Sequence, residues 1–160
     1  MSRLDSFIHR MMAQRDVLNG IRKTVNGVEG PVLELGLGNG RTYDHLRELF
    51  PERRIIVFDR AVGSHKTSTP DPENMVLGDI RETAQTFAGV NAALVHVDIG
   101  TGYDDKDAIT LTWLPQISAA LLGPGGLVAS GLELKHPRLD PLPLPESVPA
   151  GRYFLYRRIN

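Results

Sequence analysis

Helical and strand patterns alternate along this chain almost from end to end, which predicts an α/β domain built on a doubly wound, mostly parallel sheet of about six strands with helices on both faces. Two further observations point the same way. The run Ala92-Ala93-Leu94-Val95 is apolar without alternation, as in a strand covered on both faces of a parallel sheet. A segment with glycine at 36, 38 and 40 joins an apolar strand pattern to a helical one, the usual place for a ligand loop in such a sheet.

The 160 residues, 41% of them apolar, suit one domain, 1–160, that buries its own core, with residues 1–28 as an N-terminal helical extension. Lys plus Arg number 18 against 19 Asp plus Glu, so a net charge of -1 gives no general pull toward nucleic acid or an anionic membrane. The absence of cysteine removes disulfide scaffolds, thiolate zinc sites and thiol nucleophiles together. No apolar run near the start is long enough for a signal peptide or a span, so a cytoplasmic protein is expected.

In order along the chain, Leu4, Phe7, Ile8, Met11, Leu18, Ile21 and Val25 fall on one helical face, with a break expected near Asn19-Gly20. Pro31-Val32-Leu33-Glu34-Leu35 reads as a strand and 41–50 as a helix. Ile55-Ile56-Val57-Phe58 is a second strand, and the Gly, Ser, Thr and Pro of 63–72 make a surface loop. Asn74-Met75-Val76-Leu77 is a third strand and 80–87 a short helix. Strand 92–97, helix 107–122, a Gly123-Pro124-Gly125-Gly126 turn and strand 127–129 follow. The proline-rich stretch 136–149 reads as a loop before a last strand at 153–158.

Glu34, Asp59, Asp79 and Asp98 each lie at or just beyond a strand end, so four acids line one edge of the sheet. Gly36, Gly38 and Gly40 allow a sharp turn and close approach of a ligand to the main chain. A dinucleotide fingerprint needs its third glycine where Arg41 stands, and no Gly-Lys-Ser/Thr closes a phosphate loop.

The segment Glu34-Leu35-Gly36-Leu37-Gly38-Asn39-Gly40 resembles motif I of the class I S-adenosylmethionine-dependent methyltransferases, acid-x-Gly-x-Gly-x-Gly, at every specified position. The resemblance covers residues 31–129 and implies a Rossmann-like fold with S-adenosylmethionine as cofactor. It implies that Glu34 helps hold the cofactor's ammonium group and that Gly36, Leu37, Gly38, Asn39 and Gly40 admit its carboxypropyl and ribose portions. Asp59 would accept from the ribose hydroxyls with Arg60 beside the adenine, Asp79 would accept from the adenine amino group, and Ile80 would pack on the ring. A carboxylate heading the loop suits a cationic ligand better than a pyrophosphate.

Methyl transfer from an activated sulfonium needs alignment and, for a hydroxyl or ammonium nucleophile, removal of a proton. Asp98 is the first choice for that base and for lining the transfer site, with His45 and His136 as alternatives. His96, between Val95 and Val97, reads as a core histidine or one supporting the site from behind. Tyr103 and Trp113 are candidate pocket walls, and Phe7, Met11 and Met12 would face the pocket if the first helix folds over it. Some small-molecule O-methyltransferases bind a cation after this strand, but their second acid and amide fall here on Gly131 and Leu132, so no metal is expected.

The expected activity is methyl transfer to a small-molecule acceptor, O or N, without nucleic-acid or membrane partners. The alternatives are a non-catalytic S-adenosylmethionine-binding module and an NAD-dependent oxidoreductase. The family usually ends in a strand hairpin, whereas one terminal strand is evident here. An uncovered edge carrying exposed Tyr153, Phe154 and Tyr156 predicts a homo-oligomer.

Overall fold

Ser2 starts the first helix by accepting from the Asp5 amide at 3.0 Å while the Asp5 carboxylate reaches back to the Ser2 amide, a reciprocal cap. The computed structural model describes residues 1–160 and runs this helix, α1 (Arg3–Asn26), straight through Gly20. The expected break is absent because Gly20 is a packing position: a Cβ there would lie 3.2 Å from Pro145 Cγ, so the proline-rich segment seats directly on the helix. Ala13, Val17, Leu18, Ile21 and Val25 are buried, whereas Leu4, Phe7 and Ile8 are exposed, so only the second half of α1 is anchored in the core.

The remaining elements are β1 (Val32–Leu35), α2 (Arg41–Leu49), β2 (Ile55–Asp59), β3 (Met75–Leu77), α3 (Ile80–Gln85), β4 (Ala92–Val97), α4 (Asp104–Thr110), α5 (Leu114–Leu121), β5 (Leu122–Ser130), β6 (Leu139–Pro141) and β7 (Phe154–Arg158). They form one seven-stranded sheet in the order β3-β2-β1-β4-β5-β7-β6. The first five strands are parallel, and β7 runs antiparallel to both β5 and β6. Strand order reverses between β1 and β4, so the crevice beyond their carboxyl ends is where this architecture binds ligands.

One face of the sheet packs Val32, Val57 and Leu94 under α1 and α2, and the other packs Leu33, Phe58 and Val95 with residues of α3 and α5. Fully buried side chains such as Leu18, Leu46 and Leu94 contribute about 1.5–3 kcal/mol each.

Three expectations need correction. The helix expected over 107–122 is two helices, because Pro115 lacks an amide hydrogen and fits only the first turn of a new one. Gly123-Pro124-Gly125-Gly126 is an irregularity inside β5, whose pairing with β4 shifts between Ala92 and Leu94. The proline-rich loop contains β6, which Pro141 can join as an edge strand because it needs no outward hydrogen-bond donor. The sheet therefore has seven strands rather than about six, and β7 is paired on both sides. Tyr153 and Tyr156 are buried and Phe154 half-buried, which removes the reason given for self-association. No helix is long and apolar enough to cross a membrane.

Candidate active site

The chain leaves β1 through Gly36, whose φ of 98° and packing both demand glycine: a Cβ would lie 2.5 Å from Asp98 O. This contact brings the loops after β1 and β4 together across the switch point. Gly40, at φ 83°, caps the start of α2 and lies against Ser68 and Ser64 of the segment after β2. That segment is more than a surface loop, because it turns through a short 3-10 stretch, Lys66–Ser68, and donates His65 N to Asn39 O at 3.3 Å. Gly38, at φ 51°, has nothing within 4 Å of its would-be Cβ and faces open space.

Asp59, ending β2, accepts from Leu37 N at 2.8 Å and more loosely from Gly38 N at 3.4 Å through Oδ2, and from Arg60 N at 2.6 Å through Oδ1. Its carboxylate thus shapes the glycine loop, with charge-assisted bonds stronger than neutral ones. A carboxylate has roughly four acceptor positions, so capacity for ligand hydroxyls is left. Asp79 caps α3 by accepting from Arg81 N at 3.0 Å and faces exposed Arg60 at 3.5 Å, while Ile80 packs on the core. The cap uses one oxygen of Asp79.

Beneath the loop lies a fully buried chain of three polar side chains. Glu34 Oε1 is 2.5 Å from His96 Nδ1, and the other ring nitrogen of His96 meets the Tyr153 hydroxyl. Glu34 is therefore inside β1 and inside the core, not on the open rim that its sequence position suggested. Burial pushes the Glu34 carboxyl above its ordinary range against the opposing pull of His96. For His96 burial acts downward, but the facing Glu34 and the more distant Asp98 prevail and raise the imidazole. Burial, then Asp98 and Glu34, lift the Tyr153 hydroxyl well above its usual range.

Two cavities open above this chain. A basin of about 880 Å³ is walled by the first turns of α1, the loop after β4 and the turn before β7. A smaller cavity of about 240 Å³ runs under α1 along Leu37, Gly38, Asn39 and Thr42. Phe7, Arg10, Gln14, Asp98 and Gly100 border both, so the cavities adjoin. Asp98 stands at the junction with Arg10 Nη1 3.9 Å away. Glu34 Oε2 and Gln14 Nε2 are buried without a protein partner, an acceptor and a donor left over in the same region.

The structure brings together Glu34, Gly36, Leu37, Gly38, Asn39, Gly40, Asp59 and Asp98; Arg60, Asp79 and Ile80 continue along the same strand ends toward β3. Phe7 and Met11 do line the cavity, but exposed Met12 lines neither space. His45 bonds Asn19, and His136 accepts from Arg138 N, so neither candidate base reaches the site. Tyr103 is 64% exposed and carries Lys106 over its ring, and Trp113 packs in the core on the opposite face of the sheet. Sequence reading missed Arg10, Gln14 and Tyr153, because only the path of α1 and of the turn before β7 carries them to the strand ends.

A family described as S-adenosyl-L-methionine methyltransferase matches residues 1–158. A crystal structure of an S-adenosyl-L-methionine methyl transferase from Silicibacter pomeroyi is 44% identical, covers 99% of each chain and superposes with a TM-score of 0.92. A probable spermidine synthase from Corynebacterium glutamicum shares 18% identity over 73% of this chain and 46% of its own, at a TM-score of 0.58. A 16S rRNA adenine methyltransferase from Catenulisporales acidiphilia, solved with S-adenosylmethionine, shares 14% identity over 89% and 91% of the two chains, at 0.52. These last two share the fold. No curated protein matches the sequence.

Proposed function

The chain belongs to the S-adenosyl-L-methionine methyltransferase family, and on that premise we propose that its methyl acceptor is a small molecule taken up in the basin beside Asp98. The observation that carries this reading is the junction of the two cavities at Phe7, Arg10, Gln14, Asp98 and Gly100. One space follows the cofactor loop, and the other has the volume of a small-ligand site.

The residues present suit the cofactor. Its methionine end is a zwitterion, and the smaller cavity offers Arg10 and Arg41 for a carboxylate and Asp98 for an ammonium, on which Glu34, fully buried in β1, would act through its field. Gly36, Leu37, Gly38, Asn39 and Gly40 form the cradle, Asp59 and Arg60 take the ribose and the adenine edge, and Asp79 and Ile80 take the adenine. When bound, the cofactor supplies a methyl group activated by a sulfonium. Asp98 borders both spaces and is the residue we assign to orienting the nucleophile and taking its proton. The first half of α1, whose apolar side chains are not anchored in the core, borders both cavities through Phe7 and Arg10.

The reading is metal-independent: Gly131 and Leu132, on the basin wall, bring no side-chain oxygen, and the Asp98 carboxylate faces Arg10. It also leaves nucleic acid and membranes out of the partners of a cytoplasmic enzyme, since a net charge of -1 draws neither. Incubation with radiolabelled S-adenosylmethionine and either a panel of small alcohols, phenols, amines and carboxylates or total ribosomal RNA tests it. Label should enter a small molecule, and the Asp98→Asn variant should lose that turnover. Label entering only RNA contradicts the reading.

A further inference from the structure

Around the basin the carboxylates are engaged and several donors are free. Asp107 spends both oxygens on the loop after β4, accepting from Thr101 N at 2.8 Å, Thr101 Oγ1 at 2.9 Å and Gly102 N at 3.2 Å. Asp98 faces Arg10 at 3.9 Å. Arg3, from the first turn of α1, and Arg152, from the turn before β7, line the basin on two different elements, and neither has a carboxylate within 4.0 Å. The one side-chain hydrogen bond of Arg152 is to the Met1 sulfur at 3.9 Å, a weak acceptor.

Gln14 adds an independent sign. It is 3% exposed and borders the basin, and its Nε2 lies near the Tyr153 hydroxyl without a hydrogen bond of good geometry. A buried donor of this kind is costly unless something else brings the acceptor. The wall is about evenly polar and apolar, with Phe7, Leu132, Ala150 and Tyr153 as its hydrophobic residues. An acceptor molecule entering this space meets two guanidinium groups without a carboxylate partner and an amide donor, while Asp107 is turned to the loop it holds and Asp98 faces Arg10, so the basin's three arginines outnumber its two acids. Guanidinium forks match carboxylate and phosphate oxygens in pairs.

We infer that the methyl acceptor carries an anionic group, a carboxylate or phosphate, held by Arg3 and Arg152 while its nucleophilic atom faces Asp98. This rests on the reading of the basin as the acceptor site. It narrows that reading to substrates with negative charge set apart from the methylated atom, and it disfavours cationic amines.

The test uses the full chain saturated with S-adenosylhomocysteine, so that the cofactor's own carboxylate is already placed. Benzoate, phenyl phosphate, benzyl alcohol and benzylamine are titrated by calorimetry at low salt; the first two separate carboxylate from phosphate. At least one anion should bind about tenfold or more tightly than the amine and the alcohol. Arg3→Ala and Arg152→Ala should each weaken that binding at least fivefold without changing the affinity for S-adenosylhomocysteine, and Arg152→Glu should invert the preference toward benzylamine. Both arginines have solvent-facing surface, so the variants are expected to fold, and far-ultraviolet circular dichroism checks this.

Equal or tighter binding of benzylamine by the unaltered protein overturns the inference, as does an anion preference that survives in the Arg3→Ala Arg152→Ala double variant. If the acceptor panel then shows a cationic amine being methylated, the small-molecule reading stands and only this inference fails. If RNA alone is methylated, both fail.

Discussion

His96 Nδ1 lies 2.5 Å from Glu34 Oε1 at the centre of the sheet, both side chains fully buried, with the Tyr153 hydroxyl on the far side of the ring. The pair sits on adjacent parallel strands at matched register, Glu34 opposite His96, so the sheet itself aligns it. Two titratable groups are thus held in a core that could have been apolar, directly beneath the glycine loop that follows β1.

Stability should depend on pH through His96. Its folded pKa is raised, so the folded state holds a proton that the unfolded chain, with an ordinary value near 6.5, has lost. The contribution is complete below about pH 6.5 and is lost as pH rises through the folded value. Urea unfolding from pH 6 to about 9 should show a falling midpoint in the unaltered protein and a flatter profile in His96→Asn. Equal slopes contradict the assignment.

Breaking the pair should be costly. Glu34→Ala leaves a buried imidazole without its counter-charge and should destabilise by about 3–5 kcal/mol. Tyr153→Phe leaves His96 Nε2 unpartnered, for about 1–3 kcal/mol. Glu34→Gln, which keeps shape and a hydrogen-bonding group, should fall below the alanine variant in cost. A Glu34→Ala loss under about 1 kcal/mol, measured by denaturant unfolding, would argue against a buried charged pair.

The strand and helix alternation was legible because apolar periodicity is local, and the glycine loop because its spacing is. Glu34 was legible as a motif position but not as a core residue, since burial depends on α1 and Tyr153, which arrive from distant parts of the chain. Strand β6 was hidden by Pro141 and the prolines around it, which signal a loop in sequence although Pro141 fits a sheet edge. The split between α4 and α5 was readable in Pro115. The arginines of the basin were not, because exposed charge on a helix or in a turn looks like ordinary surface.

Gly36 and Gly38 should respond differently to substitution. Gly36→Ala drives a Cβ to 2.5 Å from Asp98 O and should cost more than about 2 kcal/mol of stability. Gly38→Ala meets no protein atom and should cost only about 1–2 kcal/mol for its positive φ. Thermal melts of the two variants check the contrast, and a larger loss at Gly38 would reverse it.

The first half of α1 should tighten when the cofactor binds. Its apolar side chains are exposed from Leu4 to Ile8 but anchored from Ala13 onward. Amide exchange over residues 3–12 should slow on adding S-adenosylmethionine, while 17–25 is already protected. Equal protection of both halves before addition would contradict a cover that closes.

The placement of the cofactor along residues 34–40 and Asp59 is tested most directly by calorimetric titration of S-adenosylmethionine into the unaltered protein, Asp59→Ala and Gly38→Val. Asp59 holds the loop by its Leu37 amide, and Gly38 faces open space where a ligand would lie. One-to-one binding by the unaltered protein, weakened about tenfold or more in each folded variant, is the expected result. Undiminished affinity in both variants, with melting curves showing that each is folded, would place the cofactor elsewhere.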